Sequence, residues 1–147
     1  MKHIHFDPEP DGFYGAYWPC QGADCAVIAM LGDDPEDHMA RSAVKWLLGQ
    51  GVSVLTMSPA KKDYSHHNYP LERVEAAIAW LTAHGNRKVG IAGASTTGTL
   101  ALTAASYFPA LTLTIAMTAS DFVWQGFAQG DRDGCKEWPI PGESLFS

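Results

Sequence analysis

Long apolar runs, positive charge and cysteine are what this 147-residue sequence has least of. No stretch approaches the roughly 18–20 consecutive apolar residues that span a bilayer, so no membrane-crossing helix is expected. Lys and Arg number 10 against 16 Asp and Glu, a net charge of -6. An acidic surface repels phosphate backbones and anionic lipid, so neither nucleic acid nor a membrane is expected as a partner. The cysteines are Cys20, Cys25 and Cys135, an odd number. The N-terminal Met1-Lys2-His3-Ile4-His5-Phe6-Asp7 has no apolar stretch of the kind that directs secretion. Together these point to a cytoplasmic protein with reduced thiols, the plainer reading than a Cys20–Cys25 bridge. Tight Cys/His pairs are missing, so no metal site is expected. Repeats and low-complexity linkers are missing too. Apolar residues make up 46% of the chain, too many for a disordered polymer.

What is there alternates between strand-like and helix-like patterns. Phe13 to Trp18 is a short aromatic strand candidate, and His3 and His5 alternate on a candidate edge strand. Cys25-Ala26-Val27-Ile28-Ala29-Met30-Leu31 is continuously apolar and stops at Gly32-Asp33-Asp34-Pro35, the signature of a strand buried on both faces. Asp37 to Gln50 follows as a helix with Met39, Ala43, Trp46 and Leu47 as its apolar positions. Val52–Met57 is the next strand, and 58–69 is a polar loop. Pro70 opens a helix to about His84 with Val74, Ala77, Ile78 and Leu81 on its buried face. Val89–Ala92 is a strand, Gly93–Gly98 a tight turn, Thr99–Tyr107 a helix and Leu111–Met117 a further strand. This alternation predicts an α/β fold, a three-layer αβα sandwich around a mostly parallel sheet. Ligands of such sheets sit at the carboxyl ends of the strands, so the loops after Leu31, Met57, Ala92 and Met117 matter most.

One of those loops carries chemistry. Lys88-Val89-Gly90-Ile91-Ala92-Gly93-Ala94-Ser95-Thr96-Thr97-Gly98 sets a serine between a strand and a helix. A sharp turn there lifts a hydroxyl above the sheet, with a helix N-terminus behind it to favour developing negative charge. Gly93 suits the G-x-S-x-G pattern, but Thr97 stands where its second glycine belongs, with Gly98 one place later. Two other readings use the same residues. Ser95 suits the cap of an ordinary helix. The glycines also suit a dinucleotide-binding turn of an oxidoreductase. Such a turn should follow the first strand and precede an acid by about 20 residues, yet residues 99–120 hold no Asp or Glu. No cofactor is therefore expected.

Beyond the turn, four segments in order resemble a known family. They are Tyr69-Pro70-Leu71-Glu72-Arg73-Val74-Glu75-Ala76-Ala77-Ile78-Ala79-Trp80-Leu81, then 88–95, then Ser120-Asp121-Phe122-Val123-Trp124-Gln125-Gly126-Phe127, and last Trp138-Pro139-Ile140-Pro141-Gly142-Glu143-Ser144-Leu145. The chain is similar to the α/β-hydrolase superfamily, specifically to the C-terminal domain shared by acyl-CoA thioester hydrolases and bile acid-CoA:amino acid N-acyltransferases. The resemblance implies a partial α/β-hydrolase fold over a single domain, residues 1–147, incomplete at its C-terminal end. It implies Ser95 as nucleophile of an acyl-enzyme mechanism on a small acyl ester or acyl-CoA thioester. It implies an oxyanion site from the Thr96 N–H and the loop at Gly32 or Asp33. Asp33 and Asp34 sit awkwardly beside a developing oxyanion, and a plain turn and helix cap explains them equally well.

The superfamily's triad places an Asp and then a His after the nucleophile. All six histidines (His3, His5, His38, His66, His67 and His84) precede Ser95. Asp121 comes earlier than the usual acid. The expectation is that two further strands beyond residue 147 carry both groups, and that the 147 residues alone are catalytically weak. His66-His67 is the upstream pair best placed to substitute or to bind a metal, though a solvated loop is the default. A non-catalytic hydrolase-like binding domain is the alternative reading. A sheet ending near Leu111–Met117 would leave an apolar edge able to pair two copies of the chain.

Overall fold

A computed structural model describes residues 2–58 and 69–120. In chain order its elements are β1 (Ile4–Phe6), α1 (Pro8–Asp11), β2 (Gly15–Trp18), β3 (Cys25–Met30), α2 (His38–Gly49), β4 (Ser53–Met57), α3 (Glu72–Ala83), β5 (Lys88–Ala94), α4 (Thr96–Tyr107) and β6 (Leu111–Met117). Among the described residues the strands form one six-stranded sheet in the order β1-β2-β4-β3-β5-β6. β4, β3, β5 and β6 are mutually parallel, and β1 and β2 add an antiparallel edge. The α/β class and the mostly parallel sheet expected from the sequence are therefore found.

The apolar run of β3 is buried on both faces, and alternate residues serve different layers. Ala26, Ile28 and Met30 join Val74, Ala77, Ile78 and Leu81 of α3 and Leu100, Ala101 and Ala104 of α4 in one core. Val27 and Ala29 join Val44 and Leu47 of α2 in a second core on the opposite face. This layering follows from handedness. The crossover from β3 through α2 moves one way along the sheet, and those through α3 and α4 move the other way. Right-handed crossovers then put α2 on one face and α3 and α4 on the other.

Several expectations are corrected. The buried stripe of α2 is Ala40, Val44 and Leu47, whereas Met39 and Trp46 are about three-fifths exposed, at 61% and 62%. The small residues at i and i+4 let the helix lie close to the sheet, and the bulky pair falls outside that stripe. Helix α4 begins at Thr96, three residues earlier than Thr-Thr-Gly suggests, because buried contacts outweigh the weak helix propensity of those residues. Pro70 lies before α3 rather than inside it, and its carbonyl accepts the Arg73 N–H at 3.1 Å. Residues 59–68, with His66 and His67, and residues 121–147, with Asp121, Asp131, Asp133 and Cys135, lie outside the described residues.

Candidate active site

The strand order reverses direction at β3: β4 lies on one side of it and β5 on the other. The loops leaving the carboxyl ends of β3 and β5 diverge there and leave a crevice, the usual ligand position in such sheets. A cavity of about 280 Å³ occupies it, lined by Met30, Leu31, Gly32, Asp33, Asp37, Met39, Ala94, Ser95, Thr96 and Thr97. Ser95, Thr96, Gly32 and Asp33, the four site residues expected from the sequence, thus share one cavity.

Ser95 has φ 55° and ψ -120°, a left-handed conformation that costs a non-glycine residue on the order of 1–3 kcal/mol. Neighbouring contacts hold it there. Its N–H donates to the Met117 carbonyl of β6 at 2.8 Å, and its carbonyl accepts the Thr99 N–H at 3.1 Å. The side chain is exposed and makes no capping bond, although Ser95 occupies the cap position of α4. Two glycines make the turn passable. A Cβ on Gly93 would lie 2.1 Å from the Thr97 carbonyl oxygen, and one on Gly98 3.0 Å from the Met117 carbonyl oxygen. Gly98 therefore provides the close approach to β6.

Thr97, the departure from the glycine pattern, is buried and turned towards β3. Its hydroxyl lies 2.6 Å from the Met30 carbonyl oxygen, with the Ala94 carbonyl a second acceptor at 2.9 Å. The same hydroxyl accepts the Ala94 N–H at 3.0 Å. It stitches the turn to the neighbouring strand.

The loop after β3 is organised by Asp37, which the sequence placed only at a helix start. Its carboxylate caps α2 by accepting the Ala40 N–H at 2.8 Å, and reaches back to the N–H groups of Asp33 at 2.8 Å and Asp34 at 3.2 Å. Partial burial works against its charge, but these backbone donors and that of Met39 outweigh it and hold the carboxyl below its ordinary pKa. Gly32 is at φ 107°, and a Cβ there would meet the Asp37 carboxylate at 2.4 Å. The Asp33 N–H is thus already engaged, whereas the N–H groups of Gly32 and Thr96 are not among the donors these bonds consume. Neither Asp33 nor Asp34 caps α2. Asp34 instead accepts the Tyr14 hydroxyl at 2.9 Å and the Glu36 N–H at 2.9 Å. Burial and that bond to Asp34 push the Tyr14 pKa up to about 12.

Thr56 and Ser58 anchor the loop: Thr56 donates to the Pro35 carbonyl at 2.6 Å and Ser58 to the Asp33 carbonyl at 2.9 Å. Glu36 is gripped by His3 and, at 3.1 Å, by His5 of the edge strand. His84 ends α3, stacked on Trp80. Neither these three histidines nor His38 is among the residues lining the cavity. Among the described residues, no cluster of His, Cys, Asp and Glu is placed to hold a metal ion, and no helix is long and apolar enough to cross a membrane.

No protein-family model and no curated protein matches the sequence. Solved structures do match the fold. An esterase from Pyrococcus furiosus superposes with a TM-score of 0.60 at 19% identity, over 73% of this chain and 44% of its own. An α/β hydrolase from a Penicillium species gives 0.64 at 20% identity, over 80% and 45%. A putative α/β hydrolase from Agrobacterium tumefaciens gives 0.63 at 14%, over 82% and 63%. The sheet and its flanking helices are those of a partial α/β-hydrolase fold. The chain spans roughly half the length of the first two of these structures.

Proposed function

We propose that this chain carries the nucleophile and oxyanion loop of a serine hydrolase of the carboxylesterase or acyl-CoA thioesterase type. The observation that supports it most is Ser95 itself: a non-glycine residue held at φ 55° at the end of β5, its side chain exposed on the crevice cavity. Strain of this kind persists only where surroundings enforce it, and it gathers at working sites. In this reading Ser95 Oγ attacks the acyl carbonyl of a small ester or thioester. The Thr96 and Gly32 N–H groups take the oxyanion. The alcohol or thiol leaves with a proton, and water hydrolyses the acyl-enzyme. A second reading, a non-catalytic hydrolase-like binding domain, is favoured by one feature, the Asp37 carboxylate already bonded to the Asp33 N–H.

The test uses the protein as its gene encodes it, with p-nitrophenyl acetate as substrate. A burst of p-nitrophenol that is lost in Ser95→Ala is expected, with an acetyl group on Ser95 by mass spectrometry. No burst, or one that survives Ser95→Ala, overturns the nucleophile assignment.

A further inference from the structure

We infer that Thr97 is a positioning residue that sets the spacing between the two proposed oxyanion donors. The inference rests on the reading of Ser95 and deepens it. The two N–H groups lie on segments far apart in sequence: Thr96 opens α4, and Gly32 lies in the loop after β3. An oxyanion hole works only if its donors hold a fixed separation before the charge develops, since reorganisation during reaction would consume the benefit. Backbone pairing fixes β3 against β5 only as far as Met30 opposite Gly93. Beyond that point β3 has ended, and Ala94 of β5 pairs only with Met117 of β6.

The Thr97 hydroxyl spans this gap. It adjoins Thr96, and its bond to the Met30 carbonyl at 2.6 Å ends two residues before Gly32. The bond joins residues 67 apart in sequence, each close along the chain to one donor. The hydroxyl has one proton to give. The shorter contact assigns it to Met30, and the oxygen meanwhile accepts the Ala94 N–H. That second bond fixes the residue immediately before Ser95. The bond to Met30 is buried, so water does not compete for it. A glycine at 97 would leave turn and strand without this tie. The substitution in the glycine pattern therefore supplies a link, and the close approach passes to Gly98.

Two measurements test this. Amide hydrogen exchange on the 147-residue chain compares Thr97→Val, which keeps the shape and removes the hydroxyl, with Thr97→Ser, which keeps the hydroxyl. Thr97→Val is expected to speed exchange in residues 94–98 and in residues 31–33 together, with Thr97→Ser reversing most of both. Faster exchange in 94–98 alone overturns the tie. The p-nitrophenyl acetate burst in the gene-encoded protein then reads the consequence. Thr97→Val is expected to slow acylation by about tenfold or more with KM little changed, because small misplacements at a reacting centre cost this much or more. Thr97→Ser should recover most of the rate. A Thr97→Val burst equal to that of the parent, whose own burst depends on Ser95, overturns this inference and leaves the nucleophile standing. A parent without a burst removes both. If Thr97→Val does not fold by circular dichroism, Thr97→Ala replaces it, with the same expectations.

Discussion

Gly93→Ala sets two opposing effects against each other at the turn. Gly93 lies in β5 with a backbone outside the left-handed region, so alanine can adopt its conformation. The loss of unfolded-state freedom should then stabilise the variant by about 0.4–1 kcal/mol. Against this, the new methyl carbon would sit 2.1 Å from the Thr97 carbonyl oxygen, 2.4 Å from its carbon and 2.9 Å from the Gly98 nitrogen. Every one of these atoms is backbone, so no rotamer change relieves the contact, and α4 must move from the sheet by more than 1 Å. Overpacking of this severity costs about 3 kcal/mol, which wins. The net loss, about 2 kcal/mol, should lower Tm by roughly 4–8 °C. Urea unfolding followed by circular dichroism measures it as a lower midpoint at unchanged slope. Gly49→Ala at the end of α2 is the control: nothing lies within 4 Å of a Cβ there, so only the favourable effect should remain. A Gly93→Ala variant as stable as the parent would refute the packing of α4 against β5 described above.

Leu47→Ala should cost about 2–5 kcal/mol, and Trp46→Ala less than about 0.5 kcal/mol, since the first is 6% and the second 62% exposed; equal losses in thermal unfolding would contradict the assigned face of α2. Asp37→Ala should cost about 1 kcal/mol at neutral pH through loss of the α2 cap. Because the folded-state pKa of Asp37 lies below its ordinary value of 3.8, its ionic contribution is complete above that value and fades as pH falls through the folded pKa. The Asp37→Ala penalty should therefore shrink in acid, and a pH-independent penalty in urea titrations would sink the assignment.

The layers of this fold were readable wherever burial imposed a simple period. The continuous apolar run of β3 and the Val74–Ala77–Ile78–Leu81 stripe of α3 answer only to their immediate surroundings. Trp46 misled because its size suggests burial while its place on α2 does not. The start of α4 was hidden because Thr-Thr-Gly is a poor helix opener on its own and is held by contacts to β3 and β6. The serine turn stood out through Gly93. The bonding of Thr97 to Met30 and the grip of Asp37 on the β3 loop did not: both depend on which hydroxyl or carboxylate meets which backbone group after folding. A sequence pattern records residue type and spacing, so it registered Thr97 only as a deviation and Asp37 only as a helix boundary.

The bond from the Ser95 N–H to the Met117 carbonyl has a consequence for how the molecule breathes. It couples the turn to the last strand of the described sheet, on which Leu113 and Met117 are exposed. Parts of a fold open locally at free energies below that of global unfolding. Each opening of β6 at Met117 releases one of the contacts that hold Ser95 in its left-handed conformation. Exchange of the Ser95 amide then reports each such opening.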